Sequence, residues 1–180
     1  MSSVAKGAET DMQSKATQSQ RAARLADRIE EGAALLVAFV EGLSEEEWLA
    51  PAKAGGSDQR PVGVIVHHVA SVYPIEIDLA RKIASGRAIT DVTWAVVAEL
   101  NAQHAKDSNG VTKAATLELL RRNSREAAEA VRAFTDEQLD QAAPFSLSYS
   151  APVTAQFVIE DHAVRHSWHH LARIRKGSGR

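Results

Sequence analysis

Apolar residues recur along most of this chain three or four positions apart, the spacing of α-helices, and strand-like alternation is scarce. A first helix is expected from about Gln18 to Gly42, with Leu25, Ile29, Leu36, Phe39 and Val40 apolar and Gly42 as its stop. Ser44-Glu45-Glu46-Glu47 reads as a capping box that opens a short turn through Trp48. Residues 51–61, rich in Gly, Ser and Lys, read as a loop. Pro61 suits the first turn of a second helix reaching about Ser85-Gly86, which Pro74 should kink. After a connection from Gly86 to Thr93, a short helix is expected over about Trp94 to Lys106, and Asn109-Gly110 marks a turn. A long helix follows from about Thr112 to Phe134, with Leu117, Leu120, Ala127 and Val131 inward. Thr135-Asp136-Glu137-Gln138 is a second capping box, Gln141 to Pro152 reads as a long polar loop, and the last helix spans about Thr154 to Arg175.

Each capping box follows a long helix and precedes a loop and a histidine-bearing helix, a faint internal echo. Two such pairs make an all-α four-helix bundle with one short additional helix. The expected organisation is one domain over residues 18–175, with flexible tails at 1–17 and 176–180.

Composition narrows the chemistry. At 180 residues with 44% apolar and 24% charged positions, the chain has the balance of a globular domain. Net charge is -2 and Lys and Arg are scattered, so nothing argues for nucleic acid. No stretch reads as a membrane span and the N-terminus has no apolar leader, so no membrane partner and a cytoplasmic location are expected. With no Cys, a metal must use histidine and carboxylate ligands.

Six of the seven histidines fall in two groups: His67-His68, and His162, His166, His169 and His170. At about 100° per residue, Val64, Ile65, Val72, Ile75, Leu79 and Ile83 lie within roughly 60° of His68, and His67 falls on the opposite flank, facing out or towards a partner. On the last helix, His162 and His170 lie about 40° to either side of His166, with Ile159, Ala163 and Ile174 on the same face. Phe157, Val164, Trp168 and Leu171 form a second apolar face, and His169 sits at the edge of the polar arc. Burial on two sides suggests a neighbouring subunit, hence a homodimer.

A lone inward histidine is more often a satisfied core residue than a ligand, and H-x-x-x-H pairs arise by accident. Three imidazoles on apolar faces are another matter, because each must be desolvated and a metal can pair with all three.

Three motifs carry a family likeness: Leu43-Ser-Glu-Glu-Glu-Trp48, Val62-Gly-Val-Ile-Val-His-His68-Val-Ala, and His166-Ser-Trp-His-His170-Leu-Ala-Arg-Ile174. In order and spacing, over about residues 20 to 175, the chain resembles the DinB/YfiT-like superfamily of metal-dependent proteins. The resemblance implies a four-helix bundle with a divalent metal on one histidine of the second helix and an H-x-x-x-H pair of the last. Those positions match His68, His166 and His170. Some relatives are transferases or isomerases that use low-molecular-weight thiols such as mycothiol or bacillithiol.

The expected function is that of a metal-dependent enzyme acting on a small molecule, by thiol-dependent transfer or isomerisation or by hydrolysis. Zinc or nickel leads, with iron and manganese also compatible, and a low-molecular-weight thiol is a candidate cosubstrate. Candidate helpers are His104, Asn101 and Glu76; His67 and His169 should stay outside the ligand set. The competing readings are a non-catalytic metal-stabilised bundle and a metal-free homodimeric interaction module.

Overall fold

The computed structural model describes residues 19–52 and 59–178. The expected N-terminal tail and most of the loop between Pro51 and Pro61 lie outside them. Four long helical elements form the bundle: α1 (Gln20–Glu41), α3 (Val62–Ala84), α5 (Lys113–Arg132), and a last element made of α7 (Ala155–Ile159), a π-helical turn (Glu160–Val164) and α8 (Arg165–Ser178). The short helices α2 (Glu45–Leu49) and α6 (Asp136–Asp140) open with the two capping boxes read from the sequence, on Ser44 with Glu47 and on Thr135 with Gln138. The additional helix, α4 (Trp94–Asp107), begins at Thr93, whose side chain accepts from the Val96 amide.

α1 and α3 both pack on α5, and the last element packs on α1 and α3. Leu36 of α1, Ile65 and Tyr73 of α3, Leu120 of α5 and Ile159 and Ile174 of the last element meet in one core. Pro74 does not break α3. Its missing N–H leaves the Ala70 carbonyl without a helical donor, and the buried Asn123 amide of α5 donates to that oxygen at 2.8 Å.

Three expectations need correction. Residues 141–152 do not form a polar loop: β1 (Ala142–Phe145) and β2 (Ala151–Thr154) pair antiparallel, with Phe145 opposite Ala151. Ala143 and Phe145 point into the core. Four-residue strands interrupted by prolines carry too little alternation to be read locally. The last helix continues to Ser178, so residues 176–178 are not a frayed tail. α3 is long and apolar enough, by length and composition, to cross a membrane, although no such stretch was expected; it lies mostly buried inside the bundle. The second apolar face of the last helix is partly covered within the same chain, with Phe157 44% and Trp168 37% exposed. Val164 and Leu171 are buried in the core. The Trp168 indole lies over Gly32 of α1, where an added Cβ would come within 2.6 Å of it.

Candidate metal centre

α3 and α8 bring together the three histidines chosen by helical phase. One ring nitrogen from each of His68, His166 and His170 lies within 4.8 Å of the other two. His68 Nε2 and His166 Nε2 are 3.1 Å apart. The His166 and His170 rings, one turn apart, stack with centroids 4.9 Å apart. One turn along, Tyr73 and Ser167 share a buried hydrogen bond of 2.7 Å that fixes α3 against α8.

Glu76, the candidate two turns from His68, touches His166: its Oε1 lies 2.5 Å from His166 Nδ1. A carboxylate accepts, so in the neutral ring the proton sits on Nδ1 and Nε2 offers its lone pair towards His68. Glu76 is buried, and its Oε2 has no hydrogen-bond partner among the described residues.

Burial sets the charge state of the other two rings. Desolvation, reinforced by the neighbouring imidazoles, lowers His68 to about 3 and His170 to about 2. Both stay neutral with lone pairs available. Below about pH 6.5 an unfolded chain takes up protons that these folded rings refuse, so metal-free protein should lose stability as pH falls from 6.5 towards 3. The slope is up to about 1.4 kcal/mol per pH unit for each ring. Urea denaturation with a chelator at pH 7 and pH 4.5 measures it; equal midpoints would mean the rings are not held neutral by the fold.

The other candidates fall into place around this cluster. Asn101 lines the cavity above it. His104 approaches His68 edge-on, with centroids 5.4 Å apart, but does not line the cavity. His104 Nε2 instead meets His67 Nδ1 at 2.9 Å, and Ser108 Oγ lies within 3.2 Å of both rings. His67 thus stays outside the three-ring cluster as expected, but it is half-buried against α4 rather than turned to solvent. Helical phase alone could not reveal a helix packed over that flank. His169 is exposed at the cavity rim, beside His170. Ile75 was expected on the inward stripe with His68, yet it is 55% exposed, because that part of the stripe faces an open cavity.

The cavity encloses about 490 Å³ between α3, α4 and the last helix. Five histidines, Glu76, Asp161, Asn101, Arg60, Arg165 and Arg173 form the polar part of its lining, and apolar side chains form the rest. Sequence reasoning assigned the arginines no role, although Arg173 lies in the third motif; they sit on two distant segments. The π-helical turn lies directly before the H-x-x-x-H pair; there the Arg165 amide reaches back five residues to the Glu160 carbonyl.

Fold and site together define a four-helix bundle in which two helices hold an inward three-histidine cluster at the base of an open cavity. A family model described as the DinB superfamily matches residues 28–174, and the chain belongs to that superfamily. Among solved structures it is similar to YfiT from Bacillus subtilis, at 23% identity over 92% of this chain and 90% of that one, with a TM-score of 0.68. That protein is described as a probable metal-dependent hydrolase with an unusual four-helix bundle topology, and at this identity the likeness establishes the fold. No curated protein matches the chain.

Proposed function

We propose that His68, His166 and His170 hold one divalent metal ion, and that the chain is a metal-dependent enzyme acting on a small molecule, with hydrolysis the favoured reaction. The observation that carries this reading is the convergence of three ring nitrogens within 4.8 Å at the base of a cavity. The donor set fits. Two rings are kept neutral by burial, and a carboxylate orients the third. The description of the similar Bacillus subtilis protein as a probable metal-dependent hydrolase supports the same class. All-imidazole ligation suits zinc or nickel, and an ion so held supplies Lewis acidity towards a substrate. Glu76 acts as a positioning residue: it holds the His166 tautomer and supplies negative charge beneath the site. Asn101, on the cavity wall, is placed to donate to or accept from a bound substrate.

The test starts with elemental analysis of protein purified without a histidine tag or nickel column. About one equivalent of zinc or nickel is expected, together with metal-dependent cleavage of activated esters or amides. Protein free of metal, and unable to bind zinc on titration, would sink the reading. Turnover only in the presence of a low-molecular-weight thiol would move it to thiol transfer, and stoichiometric metal with no turnover would leave a metal-stabilised bundle. Glu76→Gln keeps the shape but removes the charge; it should weaken metal affinity by about 10- to 100-fold in a competition titration. Unchanged affinity would mean that the carboxylate does not act through His166.

A further inference from the structure

None of the 14 residues of α4 is buried. A helix on a folded domain ordinarily hides one apolar stripe against the core. α4 carries such a stripe: Trp94, Val97 and Leu100 follow one another three residues apart, with Asn101 beside them, and all four line the cavity. The helix is fastened near its ends. Ser146 Oγ donates to the Val92 carbonyl at 2.6 Å just before it, and His104 Nε2 meets His67 Nδ1 at 2.9 Å towards its close. Between those ties the stripe faces the cavity and not the core.

α3 supplies the facing stripe. Val72, Ile75 and Leu79 share the helix side of His68 and Glu76 and line the same cavity. From His68 to Leu79 the helix rises about 16 Å at about 1.5 Å per residue. The two stripes do not close on one another, for Ile75, Trp94 and Leu100 are each more than half exposed. Large apolar side chains left in water around a concavity mark a binding surface. The cavity volume of about 490 Å³ lies in the range of small-molecule sites. His68, His166 and His170 line the same space, so a molecule that fills the gap reaches the ring cluster.

We infer that the gap between α3 and α4 receives the apolar body of a small-molecule substrate, an uncharged alkyl or aryl chain laid between Ile75 and Trp94 with its reacting group at His68, His166 and His170. Such a gap sets the substrate class of the proposed metal centre; which end reacts rests on that reading, and the binding of the chain does not. A bound chain also covers Ile75, Trp94 and Leu100, so each added methylene removes apolar surface from water on both sides of the gap. Affinity therefore rises with chain length until the gap is filled.

Calorimetric titration and tryptophan fluorescence with butano-, hexano- and octanohydroxamate, and with the matching alkanamides, test this on zinc-loaded and on chelated protein. Affinity should rise about five- to fifteenfold for each two carbons added, in both forms. Trp94 should report the chain by a blue shift that Trp94→Phe removes. Ile75→Ser combined with Leu100→Ser should cut the rise to about threefold or less per two carbons, with a melting curve to check the fold. Leu49→Ser, at an exposed apolar residue outside the cavity lining, should change nothing. The proposal is overturned if affinity is flat with chain length, if the rise survives the double variant, if Leu49→Ser lowers it as much, or if none of the probes binds. Hydroxamates also ligate zinc, which separates the two readings. Hydroxamates no tighter than their amides on zinc-loaded protein, beside an intact chain-length rise, would sink the metal centre alone. Hydroxamates tighter than their amides with no chain-length rise would sink this assignment alone.

Discussion

Alanine at His68, His166 or His170 should each abolish stoichiometric divalent-metal binding, while His67→Ala and His169→Ala should leave it largely intact. The three rings lie on two helices with their nitrogens within 4.8 Å of one another, and no Cys and no fourth histidine joins that cluster among the described residues. Losing one ring leaves two imidazoles, too few to hold an ion against water and buffer. His67 is engaged with His104 and Ser108, and His169 sits exposed at the rim, so removing either ring leaves the cluster whole. Metal content by elemental analysis, beside a melting curve for each variant, decides it. Chelation should lower the melting temperature of the parent protein and leave the three metal-deficient variants unmoved. Loss of metal from His67→Ala but not from His68→Ala would mean that α3 is rotated from the register described. Unchanged metal content in all five would remove the metal centre and favour the interaction-module reading.

The largest effect on stability is expected at Trp48. Its indole is 1% exposed, and its Nε1 donates to the Val111 carbonyl at 3.0 Å, tying α2 to the segment between α4 and α5. Trp48→Ala should cost about 3–5 kcal/mol from the cavity, with about 1 kcal/mol more from the orphaned carbonyl. The indole lies against Gly63 in the first turn of α3, where an added Cβ would sit 2.5 Å from it. Gly63→Ala alone should therefore cost about 1–3 kcal/mol by overpacking. Removing the indole makes room for the methyl group, so the double variant should be less destabilised than the sum of the singles. Urea denaturation of the four proteins gives the coupling. Strict additivity would mean that Gly63 is not what accommodates the indole. Gly63 lies five residues before His68, so this contact also seats the end of the helix that carries the first histidine.

Much of the architecture was legible because helices declare themselves locally. Capping boxes at Ser44 and Thr135, a glycine stop at Gly42 and three- to four-residue apolar spacing all act within a turn or two of the chain. The choice of His68, His166 and His170 followed from the same short-range geometry, since rotation about a helix axis depends only on residue number. The β1–β2 hairpin was not legible. Its strands are four residues long, and its partners include Ile89, more than fifty positions away, whose amide donates to the Pro144 carbonyl.

Helical phase could say that His67 points away from His68, but not that α4 would cover it with His104 and Ser108. It could place Ile75 on the apolar stripe, but not tell packed core from open cavity, because the stripe of a helix records aversion to water and not what fills the space opposite. It found a second apolar face on the last helix and could not see that the same chain would bury Val164 and Leu171 of it. The bundle and its three inward histidines were thus determined by sequence at short range. The Glu76–His166 contact, the arginines lining the cavity and its exposed apolar wall were decided only by tertiary structure, because each joins residues from different helices whose relative placement no local pattern encodes.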